Sequence, residues 1–136
     1  MKKIVCVGEM LIDFVCVDTN IGLSDAVNFI KKSGGAPTNV AACIGKLGGA
    51  STLVAAIGND PFGTYLKNEV VHYHVNIDFV ETVNTSTTLA FVSLSDDGER
   101  EFAFNRGAMT ALPTQFEVVS LQYVAKQQSI NGMQAI

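Results

Sequence analysis

Hydrophobic and polar residues alternate along the first half of the chain in the pattern of an α/β protein. The run Lys3–Val7 is almost wholly apolar and ends at Gly8, which predicts a first strand, over residues 3–8, buried on both faces. Residues 37–47 predict a helix that two glycines terminate, and Ser51–Ile57 predicts a second buried strand. The apolar repeat of this helix consists of Val40, Cys43, Ile44 and Leu47.

A second helix is predicted directly after Asp60. The carboxylate of Asp60 suits the cap position ahead of Pro61, where a missing N–H group costs nothing. The apolar positions that fall on one face of this helix are Phe62, Leu66, Val70 and Tyr73. His72 and His74 lie near its end, two positions apart, so they do not share a face and are poor co-ligands for a metal.

Two segments interrupt this α/β pattern. Residues 14–32 predict two short strands around a polar turn at Asp18–Asn20. Residues 87–106 contain two alternating runs joined through Asp97-Gly98, a strong hairpin signal because a tight primed turn requires φ > 0. We therefore expect a β-rich insertion beside the α/β core.

Composition excludes several classes of protein. The 136 residues are 48% hydrophobic, which suits one domain with a core. Nine basic and thirteen acidic residues leave a net charge of −4, so no nucleic-acid or anionic-membrane partner is expected. The apolar runs are too short to span a membrane and the amino terminus is strand-like, so we expect a cytoplasmic protein. Cys6, Cys16 and Cys43 are irregularly spaced, which predicts buried free thiols.

The stretch Ser33–Asn39 is the strongest candidate for a binding site. Gly34 and Gly35 give the backbone access to φ > 0 and remove side chains that would keep a ligand at a distance. Pro37 suits the first turn of a helix, whose free N–H groups point at whatever lies in front of them. Asn39 both donates and accepts, so the loop suits a small hydroxyl-rich ligand better than an anion.

A carboxylate follows the first predicted strand, at Asp13. Ligands of open α/β sheets bind at the carboxyl ends of strands, so Asp13 and the Gly34–Asn39 loop are expected to face one pocket. An ionised carboxylate can hold two neighbouring sugar hydroxyls, at about 1.5–3 kcal/mol for each charge-assisted hydrogen bond. The spacing fits a helix cap or a turn residue at Asp13 equally well.

These residues belong to a series of motifs that occur in one order. The motifs are Gly8-Glu9-x-Leu11-Ile12-Asp13-Phe14, Gly34-Gly35-Ala36-Pro37-x-Asn39-Val40-Ala41, Leu47-Gly48-Gly49, Ile57-Gly58-x-Asp60-Pro61-Phe62-Gly63, Thr88-Leu89-Ala90-Phe91-Val92, Asp97-Gly98-Glu99-Arg100 and Phe102-x-Phe104-x-Arg106-Gly107-Ala108. The series resembles the amino-terminal half of a fructokinase, in the ribokinase-like (PfkB) family of carbohydrate kinases. The resemblance covers about residues 3–112.

The resemblance implies a ribokinase-like three-layer α/β/α core, truncated in this chain, with a small β-sheet lid. In such enzymes the lid covers the sugar and often pairs with a second subunit, so a homodimer through the lid is expected. The outward side chains of Phe91, Phe102 and Phe104 fit a lid, a dimer face or an ordinary sheet core. Residues 113–136 do not follow the family pattern, and we interpret them as a divergent tail.

The resemblance also implies roles for individual residues. Asp13 matches the family's acceptor of sugar hydroxyls. Gly35 matches the glycine against which the sugar lies, and Gly34 and Ala36 line the same turn with their backbone. Asn39 matches the amide that contacts the sugar hydroxyls. Asp60 is assigned to helix capping rather than to chemistry.

Two further candidates lie at the end of the second lid segment. Arg106 matches a position that often reaches the substrate, where a planar and permanently charged fork suits a sugar oxygen or a phosphoryl group. A salt bridge at the lid edge fits Arg106 equally well. Asn105 is the second candidate for the same role.

The activity implied by the resemblance is phosphorylation of a hydroxymethyl group on fructose or a similar small sugar, with ATP and Mg²⁺. The family places its catalytic base and anion hole in an Asp-Thr-x-Gly-Ala-Gly-Asp run, which does not occur in these 136 residues. This chain alone is therefore expected to bind sugar without catalysis, and no catalytic, cofactor-binding or metal-binding residue is assigned in it. The alternatives are a 2-keto-3-deoxygluconate kinase, a ribokinase, or a non-catalytic sugar-binding or dimerising module.

Overall fold

A computed structural model describes residues 3–94 and 99–108 of the chain. The predicted turn at Asp97-Gly98 and the predicted tail at 113–136 lie outside these residues. The elements in order are β1 (Lys3–Val7), β2 (Leu11–Cys16), β3 (Phe29–Gly34), α1 (Ala36–Lys46), β4 (Ala50–Gly58), α2 (Pro61–His72), β5 (Asn76–Val83), β6 (Leu89–Leu94) and β7 (Arg100–Asn105). In the described ranges, neither helix is long and apolar enough to cross a membrane.

A three-stranded parallel sheet forms the centre of the α/β part, with the order β1-β4-β5. Both helices pack on one side of it. The buried side chains of this core come from the sheet (Cys6, Leu53, Ala55, Ile57, Val80), from α1 (Ala41) and from α2 (Leu66, Val70). Of the three layers expected, the described residues thus contain the sheet and one helical layer. The predicted strands at 3–8 and 51–57 and the two predicted helices lie within about one residue of β1, β4, α1 and α2, whereas β5 was not predicted.

Strand β1 is less buried than its sequence predicts. Cys6 is buried, whereas Ile4, Val5 and Val7 are 37–49% exposed. Two geometric facts explain the difference. Among the described strands β1 lies at the edge of the sheet, and Val5 and Val7 point away from the side that the helices cover, because side chains alternate along a strand.

The apolar repeat of α1 does not mark its buried face. Val40, Cys43 and Leu47 are exposed, and the helix buries Thr38, Ala41 and Gly45 instead. Small and hydroxyl-bearing residues suit this face because α1 approaches its neighbours closely. Ser51 Oγ, for example, donates to the carbonyl of Ala41 at 2.8 Å.

The cysteines only partly follow expectation. All three are free thiols, but Cys6 is buried, Cys16 is half-buried and Cys43 is exposed on α1. The prediction of three buried thiols is therefore wrong for Cys43, since the apolar repeat to which it belongs faces solvent.

The two β-rich segments form one four-stranded lid sheet with the order β3-β2-β6-β7. Strands β2 and β3 form one antiparallel hairpin, β6 and β7 form another, and β2 runs parallel to β6. The first segment is longer than predicted, from Leu11 to Gly34 rather than over 14–32. The chain turns from β1 into the lid within three residues, Gly8–Met10, so the lid begins almost at once.

The two sides of the lid sheet differ in their surroundings. On the side facing α2, Phe14 stacks on Phe91 with ring centroids 5.2 Å apart and meets Phe62 edge-on at 5.9 Å. Phe102 and Phe104 lie on the other side, because their register partners on β6 are the neighbours of Phe91. They are 54% and 46% exposed. The structure therefore corrects the expectation that Phe91 shares one outward surface with them.

Candidate functional site

Asp13 lies inside the lid sheet, as the third residue of β2, and not in a loop beyond β1. Its register partners are Lys32 on β3 and Ala90 on β6. The alternatives of a helix cap or a turn residue are therefore wrong. The half-buried side chain of Asp13 extends toward the end of β3.

The carboxylate of Asp13 lies directly against the backbone of Gly34. A Cβ atom at Gly34 would lie 2.6 Å from Asp13 Cγ and would overlap Oδ2. In this conformation of Asp13 only glycine at position 34 leaves room for the carboxylate. The contact between β2 and β3 at this point therefore depends on Gly34. The carboxyl group of β2 and the glycine turn at the end of β3 thus meet at one corner of the lid.

Gly35 continues this corner into α1. It has φ 101°, and a Cβ atom there would lie 3.0 Å from the carbonyl carbon of Glu9. Asn39 lies one helical turn further, where its N–H group donates to the Gly35 carbonyl at 2.9 Å and its side chain is exposed. Asp13, Gly34 and Gly35 are therefore in contact or adjacent, and Asn39 stands at the same end of α1.

The Asp13 carboxylate lies in an unfavourable electrostatic environment. Burial raises the pKa of Asp13 above its ordinary value, and the negative charge of Glu9 raises it further. Donors that approached from a ligand would relieve both effects. Carboxylates with perturbed pKa values are concentrated at functional sites, so Asp13 is a candidate for ligand binding.

Arg106 lies just beyond β7, on a row of residues that leads back to Asp13. Asp13 pairs with Ala90, Ala90 pairs with Phe104, and the guanidinium of Arg106 lies 5.1 Å from the Phe104 ring centroid. Register partners share one side of a sheet, so Asp13 and Phe104 face the same way. Two strand spacings, about 10 Å, separate their backbones. The small side chain of Ala90 lies between them.

Asn105 is placed differently. Its register partner is Leu89, which pairs with Ile12, so Asn105 belongs to the row on the opposite side of the lid from Asp13. Its side chain is exposed. The structure brings Arg106 and Asp13 to one side of the sheet, and it does not bring Asn105 there.

Two cavities are lined by candidate residues from the sequence, one by Asp13 and the other by Asp60. The larger, of about 440 Å³, is lined by Asp13, Val15, Cys16, Val92, Ser93, Leu94, Arg100 and Phe102. The smaller, of about 270 Å³, is lined by Asn59, Asp60, Asn84, Thr85 and Ser86 beside the start of α2. Asp13 lines the larger cavity, but Gly34, Gly35, Asn39 and Arg106 line neither of the two. The expectation that Asp13 and the Gly34–Asn39 loop face one pocket is therefore not met by either cavity.

Sequence reasoning missed the residues that connect Asp13 to Arg106. Ala90 and Phe104 stand inside quoted motifs, but their importance lies in the register of β2, β6 and β7. The alternation of β6 could have indicated which residues share a side with Ala90. The pairing partner of β6 could not be read from it.

No group of three or more His, Cys, Asp or Glu residues within 3–94 and 99–108 is arranged to hold a metal ion. His72 is exposed at the end of α2, and His74 follows with φ 60°. This placement agrees with the interpretation of both histidines as helix-end residues.

Comparisons with known proteins point to one family over most of the chain. Residues 1–131 match the description "pfkB family carbohydrate kinase". Probable fructokinase-6, chloroplastic, of Arabidopsis thaliana is 47% identical over 104 residues, which are 76% of this chain and 27% of that protein. Fructokinase-2 of Zea mays is 46% identical over 104 residues, which are 76% of this chain and 31% of that protein. The chain thus spans about a third or less of the length of these curated relatives.

Solved structures agree with this assignment. Fructokinase from Halothermothrix orenii superposes with a TM-score of 0.77 at 27% identity, covering 82% of this chain and 40% of that one. An uncharacterized sugar kinase from Pyrococcus horikoshii in complex with ATP gives a TM-score of 0.73 at 35% identity, covering 78% and 35%. The predicted ribokinase-like fold is therefore confirmed. By motif order, fold and family match, the chain belongs to the pfkB family of carbohydrate kinases.

Proposed function

We propose that this chain supplies the sugar-binding part of a fructokinase-like enzyme, which transfers phosphate from ATP to a hydroxymethyl group of fructose or a similar sugar. The observation that carries the proposal is a row of side chains on one side of the lid sheet. It runs across the strands from Asp13 through Ala90 to Phe104 and Arg106. It sets a carboxylate and a guanidinium on one side of the lid, with a small residue between them. Curated fructokinases at 44–48% identity support fructose as the first choice.

Each candidate residue has a distinct role in this proposal. The Asp13 carboxylate accepts hydrogen bonds from two neighbouring hydroxyls and so fixes the orientation of the sugar. Gly34 and Gly35 allow the ring to approach the backbone. The amide of Asn39 contacts a further hydroxyl, and Arg106 holds a sugar oxygen or the incoming phosphoryl group from the other side. Asn105 is the weakest candidate, because it belongs to the opposite side of the sheet.

We assign no site for ATP or Mg²⁺ among the described residues. They offer no acidic cluster for the cation, and the chain contains no glycine-rich loop ending in Lys-Ser or Lys-Thr for the phosphates. We therefore assign the nucleotide, Mg²⁺ and the catalytic base to the part of the curated relatives' length that this chain does not span. Sugar binding is the step that these residues perform.

The sharpest test is calorimetric titration of the 136-residue chain with fructose, 2-keto-3-deoxygluconate and ribose, with and without ATP and Mg²⁺. The proposal predicts saturable binding of fructose, weaker binding of the other two sugars, and no turnover. Equal affinities for all three sugars, or no heat of binding for any of them, would contradict the proposal. Preferred binding of 2-keto-3-deoxygluconate or ribose would reassign the substrate within the family.

A binding module without catalysis is the second candidate. The contact of Asp13 with the backbone of Gly34 supports it as much as it supports the kinase, because such a contact can serve to hold a sugar whether or not phosphate is then transferred. A phosphorylation assay on an intact protein carrying this chain separates the two. Transfer of phosphate to fructose supports the kinase, whereas binding without transfer supports the module.

We further propose that a second copy of the chain pairs with the exposed side of the lid, where Phe102 and Phe104 lie. The three free thiols at Cys6, Cys16 and Cys43 support a reducing compartment, for which the cytoplasm is our first choice. One curated relative is named chloroplastic.

A further inference from the structure

The lid sheet joins the rest of the chain through four short connections, which are residues 8–10, residue 35, residues 84–88 and residues 106–108. The last two lie side by side. Ala108 N–H donates to the Ser86 carbonyl at 2.7 Å, and Gly107 N–H donates to Thr88 Oγ1 at 2.9 Å. A side chain at Gly107 would overlap the Ser86 carbonyl, so this close pairing requires glycine.

Asp60 binds the segment that leads into β6. Its Oδ1 accepts hydrogen bonds from Gly63 N–H at 2.9 Å and from the Thr87 hydroxyl at 2.7 Å. Its Oδ2 accepts from Thr87 N–H at 2.7 Å. The Thr87 hydroxyl oxygen in turn accepts from Gly58 N–H at 3.0 Å. One carboxylate therefore ties together the end of β4, the start of α2 and the start of a lid strand.

The next residue, Thr88, carries this connection to the proposed sugar site. Its carbonyl accepts from Ile12 N–H at 3.0 Å, one residue before Asp13. Its hydroxyl accepts from Gly107 N–H, one residue after Arg106. The path from the parallel sheet to both site residues thus runs through adjacent backbone groups and short hydrogen bonds.

These contacts go beyond the requirements of a helix cap. A cap at Gly63 needs one oxygen, as a serine provides, yet here the second oxygen and a buried threonine are engaged as well. Burial opposes ionisation of Asp60, but the hydrogen bonds from Thr87 and Gly63 outweigh it and lower the pKa of Asp60. The bridge is therefore charge-assisted at neutral pH.

We propose that Asp60 is a positioning residue that acts through Thr87. It fixes the lid sheet against the parallel sheet and its helices, and so sets where Asp13 and Arg106, which both belong to the lid, stand relative to Gly35 and Asn39 at the start of α1. The inference deepens the proposed function, since it rests on these residues holding the sugar. Asp60 itself touches no substrate.

Three variants of the full chain separate positioning from capping. Thr87→Val removes the hydroxyl that links Asp60 to Gly58 and keeps the shape of the side chain. Thr87→Ser keeps the hydroxyl and is the matched control. Asp60→Ser keeps a cap for Gly63 but has one oxygen, so it gives up the bridge. Amide hydrogen exchange measured by NMR then compares β6 and β7 of the lid with β4 and α1 of the core.

We expect Thr87→Val and Asp60→Ser to raise the exchange rates of lid amides about tenfold relative to those of β4 and α1, because a charge-assisted hydrogen bond changes an equilibrium by about that factor. Thr87→Ser should match the unmodified chain. Fructose affinity should fall with the same ranking of variants. If Thr87→Val does not fold, the comparison of Asp60→Ser with Thr87→Ser decides.

Two results would overturn the inference. Equal acceleration in lid and core would mean that the bridge serves overall stability alone, and unchanged lid exchange would mean that it holds nothing in place. Failure of the unmodified chain to bind fructose is a different outcome. It refutes the proposed function, while the exchange comparison still decides whether Asp60 positions the lid.

Discussion

The residue that best separates stability from function in this chain is Asp13. Its carboxylate is half-buried, lies against the backbone of Gly34 and is repelled by Glu9, so its ionised form is disfavoured in the folded chain. The environment of Asp13 fits a carboxylate that awaits the hydroxyl donors of a ligand.

Replacement of Asp13 by Asn should therefore weaken binding without weakening the fold. We expect fructose affinity to fall about 10- to 100-fold, because one or two charge-assisted hydrogen bonds of roughly 1.5–3 kcal/mol lose their charge. The free energy of unfolding should stay equal or rise. Calorimetry and urea unfolding measure the two quantities, and Asp25→Asn, at an exposed loop carboxylate, is the control. A loss of stability equal to the loss of binding would show that Asp13 is structural.

The raised pKa of Asp13 also sets a direction for pH dependence. A folded-state pKa above the unfolded value means that Asp13 favours folding below its ordinary pKa of 3.8, and that this contribution is lost as the pH rises through the raised value. Binding has the opposite sign, since hydroxyl donors need the ionised carboxylate. Fructose affinity should fall as the pH drops toward the pKa of Asp13. An NMR titration with and without fructose should show that the sugar lowers this pKa.

The pKa of Asp18 is shifted in the opposite direction to that of Asp13. Hydrogen bonds from the Asn28 side chain and from the N–H groups of Asn28 and Val27 lower the pKa of Asp18 from 3.8 to about 2. Its contribution to stability is therefore complete above pH 3.8 and is lost as the pH falls through about 2. Unfolding midpoints measured between pH 5 and pH 2 should decrease less in Asp18→Asn than in the unmodified chain. Parallel curves for the two proteins would exclude Asp18 as a source of acid sensitivity.

Among the elements, α1 shows how close packing selects small residues. Gly45 lies on its buried face, where a Cβ atom would overlap the carbonyl oxygen of Tyr73 at the end of α2. Backbone cannot rotate away as a side chain can. The two helix ends therefore approach each other only because position 45 lacks a side chain.

Gly45→Ala should consequently destabilise the chain even though alanine is the better helix former. We expect a loss of about 1–3 kcal/mol in the free energy of unfolding, the usual cost of overpacking a core. Cys43→Ala, on the exposed face of the same helix, should change it by less than about 0.5 kcal/mol. Urea denaturation measures both. Equal effects of the two substitutions would mean that the helix ends can move apart at little cost.

The same helix shows what the sequence could predict. Gly35, Pro37 and the glycines after Leu47 located its ends to within a residue, because caps and terminators act locally. The buried face was not predictable from Val40 or Leu47. It depends on the backbone of Tyr73, which belongs to an element almost thirty positions later in the chain.

The candidate site also has a part that the sequence could predict and a part that it could not. Asp13 and Gly34 were identified from spacing, and the structure brings them into contact. The sides of the lid on which Arg106 and Asn105 fall were not predictable, because they depend on the register of β7 against β6 and of β6 against β2. A one-residue shift in either pairing would exchange the two sides.

For the whole molecule, the lid sheet has one side packed on α2 and another that remains open to solvent. Phe14 and Phe91 occupy the packed side, whereas Phe102 and Phe104 are about half exposed on the other. Exposed aromatic residues that cluster on a rigid sheet are typical of association surfaces. Pairing of two chains through this side would cover them, and it would also enclose the row that leads to Asp13.

The last prediction concerns this pairing. Phe102→Asp places a charge on the open side of the lid and keeps both Phe104 and Arg106, although it removes the ring that stacks on Phe104 at 6.2 Å. If two chains pair there, sedimentation velocity should show a concentration-dependent dimer for the unmodified chain and a monomer for Phe102→Asp, because a buried unpaired charge opposes association. Val40→Asp is the matched control, since Val40 is 51% exposed and Phe102 is 54% exposed. Loss of the dimer in Val40→Asp but not in Phe102→Asp would assign the interface to α1, and a monomer at every concentration would refute pairing through the lid.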